Sequence, residues 1–266
     1  MKIGVFYTRG KKNIESVLKD LKKAARDNDI ELVLCEEENK EIEDCDFVIA
    51  AGGDGTFLRA ASILYKLSLP VLGINLGGLG FLTDIRKEEI SKIFKDLIHN
   101  NYEIQERFIL KANWKNQNNI ALNDVVFSSK DIRVIDLDIY VNDSFVTQLS
   151  GDGLIVATPT GSTAYSLSSG GPIVKPGTEA IVITPISPHT FTFRPIVIDD
   201  RSRILIKAKE KCRLIFDGQK LITLDSGEEV SVEKNPETLK VVKFENWNYF
   251  DILRRKLNWG NGSNII

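Results

Sequence analysis

Phe47-Val48-Ile49-Ala50-Ala51-Gly52-Gly53-Asp54-Gly55-Thr56-Phe57-Leu58-Arg59-Ala60-Ala61 is the stretch that decides the fold. Its first five residues are apolar without alternation, the pattern of a strand buried on both faces. Glycines end the run and a helix-like segment follows, so the chain turns sharply from strand into helix. At such a turn free backbone N–H groups and the positive end of the helix dipole face one point, and glycines let a phosphate come close. Asp54 is the odd member, because a carboxylate repels an anion. Three readings are open: a base for a hydroxyl as a phosphoryl group arrives, a grip on the Mg²⁺ that accompanies that group, or a plain turn or helix-cap residue.

Standard phosphate loops do not account for the stretch. No lysine follows the glycines as a Walker A loop requires, and Leu58 stands where the dinucleotide fingerprint needs its third glycine. Gly10-Lys11-Lys12 imitates a Walker A ending, but Gly4 is one residue too far upstream and Lys12 is neither Ser nor Thr. We read it as a decoy.

Working outward, strand Ile3–Tyr7 leads into an amphipathic helix over Asn13–Asn28, with Ile14, Val17, Leu18, Leu21, Ala24 and Ala25 at helical spacing. Strand Glu31–Leu34, an acidic surface stretch Glu36–Asp44 and strand Val71–Ile74 complete the pattern, and Lys87–His99 reads as a further helix. Alternating strands and helices predict a doubly wound parallel sheet, whose ligands sit beyond the carboxyl ends of the strands. Strand Val71–Ile74 also ends in a glycine-rich loop, Asn75-Leu76-Gly77-Gly78-Leu79-Gly80-Phe81, so two such loops would share one mouth. Phe81 reads as core or as a wall of that mouth, and core is the usual fate of Phe.

After Asn100 the pattern changes to short β-like runs: Ile132–Val141, Arg203–Ala208, Arg213–Phe216, Leu221–Leu224 and Glu229–Glu233, with Asn142-Asp143 and Asp217-Gly218 as turns. The fold expected is therefore α/β, an N-terminal doubly wound parallel-sheet domain plus a mostly antiparallel β domain. We expect residues 1–98 with 245–266 to form the first and 99–244 the second, with Trp247–Leu257 a terminal helix packed back on the first.

The chain has 266 residues, 35 Lys and Arg against 37 Asp and Glu, and 42% hydrophobic residues. This near-neutral balance argues against nucleic acid as main partner. No apolar run approaches the roughly 18 residues of a membrane span, and the strand-like start is not a signal sequence, so a cytoplasmic protein is expected. Cys35, Cys45 and Cys212 have no CxxC spacing, and His99 and His189 stand alone, so neither a zinc site nor a disulfide frame is readable.

Two stretches of the second half suggest a binding surface. Asn123-Asp124 could hold ribose hydroxyls or form a turn. Gly151-Asp152-Gly153 opens the other, in which a buried strand Leu154–Ala157 runs into Thr158-Pro159-Thr160-Gly161-Ser162-Thr163-Ala164-Tyr165-Ser166-Leu167-Ser168-Ser169-Gly170-Gly171-Pro172. A merely flexible linker would not follow a core strand nor carry Tyr165 and Leu167 at its centre, so we read it as a ligand-binding block.

These motifs together resemble the bacterial NAD kinases over nearly the whole length. The Gly52 to Thr56 motif alone is shared with diacylglycerol and sphingosine kinases, which makes a lipid kinase the alternative; the Asp152 to Pro172 block is specific. The resemblance implies transfer of phosphate from ATP or polyphosphate, with a divalent metal such as Mg²⁺, to the 2′-hydroxyl of the adenosine ribose of NAD. Asp54 would be the proton acceptor, and a further contact from it to the metal stays open. Gly52, Gly53, Gly55 and Thr56 would form the phosphate loop. Nucleotide contacts would come from Phe81, Asn123, Asp124, Arg133, Asp152, Thr163, Ala164, Tyr165, Ser166, Leu167, Ser168 and Gln219, with the dinucleotide between the domains. At position 124 many relatives have Glu, so the reach of the shorter carboxylate is the point of departure. The resemblance also implies a homo-oligomer, a dimer or tetramer, in which a neighbour completes each nucleotide site.

Overall fold

The computed structural model describes residues 1–36, 40–130, 134–190, 192–245 and 247–259, with Lys40 and Glu41 described by backbone alone. In chain order the elements are β1 (Lys2–Tyr7), α1 (Ile14–Asp27), β2 (Glu31–Cys35), β3 (Phe47–Ala51), α2 (Asp54–Leu64), β4 (Val71–Ile74) and, after a 3₁₀ turn at Lys87–Glu89, α3 (Ile90–Ile98). There follow β5 (Tyr102–Trp114), β6 (Gln117–Ala121), β7 (Asp124–Ser129), β8 (Ile135–Val141), β9 (Ser144–Gly151), β10 (Gly153–Ala157), α4 (Tyr165–Ser168) and β11 (Ala180–Ile186). The last are β12 (Ile196–Asp199), β13 (Ile204–Ala208), β14 (Cys212–Phe216), β15 (Lys220–Leu224), β16 (Glu229–Phe244) and α5 (Tyr249–Leu257). Two compact units result: Met1–Glu106 with Leu239–Ile266, and Arg107–Thr238.

In the first unit β2, β1, β3 and β4 run parallel in that order, with Val5 opposite both Leu34 and Ile49, and Ile49 opposite Leu72. Every residue of β3 and β4 is buried, as their unbroken apolar sequences require. Ile3, Val5, Ile49, Leu72 and Ile74 form one core with Ile14, Val17 and Leu21 of α1 and Ile93 and Phe94 of α3. Phe57 of α2 lies on the opposite face, where a Cβ on Gly73 would stand 3.0 Å from its ring. The helix after β1 and the helix after β3 therefore leave the sheet on opposite faces. Their two loops open a crevice at the ends of Tyr7 and Ala51, the topological switch point at which such sheets bind ligands.

The second unit is antiparallel. One sheet has the order β12-β11-β10-β7-β14-β15, and β8 pairs both β9 and β13 in another. Phe127, Leu137, Ile139, Leu154, Val156, Ile183, Ile206 and Leu214 belong to the core that these strands enclose. The Asn142-Asp143 and Asp217-Gly218 turns have positive φ at both residues, 48° and 63° in the first and 50° and 65° in the second. That is the backbone of two-residue hairpins. Three readings from sequence need correction. Glu229–Glu233 is only the start of β16, which carries on through Pro236 to Phe244 although a proline reads as a break. Lys87–His99 is a 3₁₀ turn followed by a shorter α-helix. Of Ile132–Val141, residues 132 and 133 lie outside the described residues, and the strand is Ile135–Val141.

Candidate active site

The site is built first from the turn at the end of β3. Gly53 caps α2 with an extended backbone, and Asp54 opens the helix without a side-chain capping bond. The cap reading of Asp54 is thus corrected. Its carboxylate turns instead to the loop after β4, where Oδ1 accepts from the Leu82 N–H at 3.1 Å, the Thr83 N–H at 3.0 Å and the Thr83 hydroxyl at 3.0 Å. Oδ2 accepts from the Phe81 N–H at 3.0 Å. Three successive N–H groups aimed at one carboxylate fix its rotamer. A carboxylate oxygen offers about two acceptor directions, so Oδ2 keeps room for one further contact while Oδ1 is saturated.

This grip depends on glycine. A Cβ on Gly80 would stand 2.0 Å from Asp54 Oδ1, and one on Gly52 would stand 2.2 Å from Thr56 Oγ1. A Cβ on Gly53 or on Gly55, by contrast, would meet nothing within 4 Å. Asn75, buried, braces the second loop by accepting from the Gly77 N–H at 3.0 Å. Asp84, next to Thr83, forms a buried ion pair with Lys243. Phe81 is half-buried rather than in the core, with Lys256 Nζ 5.7 Å from its ring centroid.

Lys11, dismissed as part of a decoy, reaches the glycine loop after all: its Nζ donates to Thr56 Oγ1 at 2.7 Å. Burial and the nearby Arg59 charge lower its pKa, so a cation is held here against repulsion. Arg59 in turn lies over the Phe6 ring and donates to the Thr8 hydroxyl. Sequence reasoning tested Lys11 only against a contiguous motif, and its partner is 45 residues away.

The second unit brings together another set. Asn123, Asp124, Val126, Ala164, Tyr165, Ile215, Asp217 and Gly218 line a cavity of about 350 Å³. Tyr165 is 46% exposed there, and Asp124 is buried. Burial, and then the charge of Asp217, push the Asp124 carboxyl up to about 7. Burial pushes Asp217 up to about 6 against three backbone N–H bonds that favour its charge. Four hydroxyls of the block are occupied internally: Thr158 bonds the Leu122 carbonyl, Ser162 the Pro159 carbonyl, Thr163 the Thr160 carbonyl, and Ser166 the hydroxyl of Thr184. Of this block, Ala164 and Tyr165 line the cavity. Leu167 is half-buried and Ser168 exposed on α4, and Gln219 is exposed just past the hairpin beside Asp217. Asp152 is not brought to this cavity. It precedes β10, whereas Ala157 at the other end pairs with Asp124, so five strand residues, roughly 16 Å, intervene. Arg133 lies outside the described residues.

The cysteines are buried and outside any disulfide, and burial raises the Cys45 and Cys212 thiols to about 11, which suits packing. No group of three metal-ligating side chains occurs among the described residues, and no helix among them is long and apolar enough to cross a membrane.

Residues 6–102 match the ATP-NAD kinase N-terminal domain and residues 122–244 match the ATP-NAD kinase C-terminal domain. The chain belongs to the ATP-NAD kinase family. It is thereby a kinase that converts NAD to NADP. An NAD kinase of Pseudomonas putida F1 is 38% identical, with 97% of this chain and 96% of that protein covered. One of Pseudomonas entomophila L48 is 44% identical over 82% of this chain and 77% of its own length. Among solved structures, an ATP-NAD kinase fold is shared with the NAD kinase of Archaeoglobus fulgidus in complex with ATP, at TM-score 0.81 and 32% identity over 97% and 99% of the two chains. The yeast NADH kinase complexed with NADH superposes at TM-score 0.87 and 25% identity, over 100% of this chain and 89% of that one.

Proposed function

We propose that Asp54 takes the proton of the 2′-hydroxyl of the adenosine ribose of NAD as that oxygen attacks the terminal phosphorus of ATP or polyphosphate. The observation that carries this reading is the carboxylate held by four hydrogen bonds inside a glycine loop, with acceptor capacity left only on Oδ2. A base so fixed pays no reorganisation at the moment of transfer, and general-base help of this kind supplies roughly 10²–10⁴ in rate. The donor's phosphates lie on the open Gly53 and Gly55 surface, at the N-terminus of α2, with Lys11 as the nearby cation. Asn123 and Asp124 hold hydroxyls of the dinucleotide, and Tyr165 contributes an aromatic face.

A Mg²⁺ ion that travels with the donor would keep phosphate and water ligands and would need at most one or two carboxylates from the protein. It would neutralise charge on the transferring group. We also propose a homo-oligomer, since Asp152 stands a strand length from the Asn123-Asp124 cavity of its own chain and would serve a second copy's nucleotide. The lipid-kinase alternative lacks comparable support, because the family match includes residues 122–244. Incubation with ATP, Mg²⁺ and NAD, followed by an NADP-specific dehydrogenase, should reveal NADP. Absence of NADP alongside phosphorylation of diacylglycerol or sphingosine would overturn the assignment.

A further inference from the structure

The Asp217-Gly218 hairpin needs at position 217 only a residue that tolerates positive φ, and Asn would serve that turn as well as Asp. The sequence nevertheless places a carboxylate there, beside a second buried carboxylate, at a cost in desolvation and repulsion. What the carboxylate does is specific. Oδ2 accepts from the Leu122 N–H at 2.9 Å, and Oδ1 accepts from the Asn123 N–H at 2.7 Å and the Asp124 N–H at 3.2 Å. The Asp217 N–H returns a bond to the Asp124 carbonyl at 3.0 Å. Residue 217 thus grips both backbone sides of the Asn123-Asp124 pair from more than 90 residues away.

The same pair is held from its other side by Thr158, which is fully buried. The Thr158 N–H donates to the Asn123 carbonyl at 2.9 Å, its hydroxyl donates to the Leu122 carbonyl at 2.6 Å, and that hydroxyl accepts from the Gly161 N–H at 3.0 Å. A Cβ on Gly161 would stand 2.0 Å from the Asn123 carbonyl oxygen, so the loop leading to Tyr165 is pressed directly on the pair.

We infer that Asp217 is a positioning residue for dinucleotide binding: it fixes the Asn123-Asp124 backbone, and so aims both side chains into the cavity they line with Tyr165. Three backbone N–H groups occupy Oδ1 twice and Oδ2 once, and it is through these bonds to residues 122 to 124 that it acts on the site. This inference rests on the reading that Asn123 and Asp124 hold NAD.

The test is a double-mutant cycle of Asp217→Asn with Asn123→Ala, in which kcat and the KM values for NAD and ATP are measured on the full chain. An amide at 217 puts its own N–H groups against the backbone donors. We expect Asp217→Asn to raise KM for NAD roughly tenfold or more, with KM for ATP and kcat within about threefold. The double variant should cost clearly less than the two single changes combined, because part of what Asp217 does is done through Asn123. Leu214→Ala, a core change on the strand before the hairpin, lowers stability without touching the pair and serves as the control. If it raises KM for NAD as much as Asp217→Asn does, or if the cycle is additive, Asp217 is merely structural and the inference falls. If Asn123→Ala itself leaves KM for NAD unchanged, the underlying reading of the pair fails instead.

Discussion

Thr83 holds Asp54 twice, through its backbone N–H and its hydroxyl, both at 3.0 Å from Oδ1. The residue that opens the helix after β3 is thereby aimed by a loop 29 residues further on, and the carboxylate's free capacity is directed to Oδ2. Thr83→Val keeps the shape and the N–H bond but removes the hydroxyl. It should lower kcat by roughly tenfold, the scale of one charge-assisted hydrogen bond, while KM for NAD changes little. Steady-state kinetics check this.

Gly80 leaves the space that Oδ1 occupies. Gly80→Ala brings a Cβ to 2.0 Å from that oxygen and must displace the carboxylate or the loop. We expect a loss of kcat of roughly 10²-fold or more, with a melting temperature lowered by only a few degrees because the core is untouched. Calorimetry beside the coupled assay separates the two effects.

Lys11 bridges the loop after β1 to Thr56. Lys11→Met retains most of the side-chain volume and removes the charge, so it should raise KM for ATP by about tenfold and leave NAD binding unchanged. Raising the salt concentration should weaken ATP binding to the original protein more than to this variant.

Asp124, with its carboxyl raised to about 7 by burial and by Asp217, is favoured in its acid form in the folded protein. The stability it contributes is fully present below its unfolded value and is lost as pH rises through about 7. The melting temperature should therefore fall from about pH 4 to about pH 7, and Asp124→Asn should flatten that slope. A melting series across the pH range reads the result.

How much of this was legible depends on how local the signal is. β3 and β4 were readable to the residue because doubly buried parallel strands are continuous apolar runs. β5, Tyr102–Trp114, was not, since its outer half alternates exposed and half-buried positions and carries charges. The glycine loops were legible, as was the Asp-Gly hairpin. Their partners were not. Thr83, Lys11 and Asp217 each act on residues 29 to 95 positions away, and no local pattern encodes such a contact. Asp152 shows the converse: it is close to Tyr165 in sequence, while a strand of fixed rise sets the two apart.

The central claim is that Asp54 is the base, and Asp54→Asn tests it most directly. The amide keeps an oxygen for the Leu82 and Thr83 donors and loses the proton acceptor. NADP formation from NAD and ATP should fall by roughly 10²-fold or more in kcat, while calorimetric affinity for NAD stays within a few-fold. Turnover close to that of the unmodified protein would contradict the account.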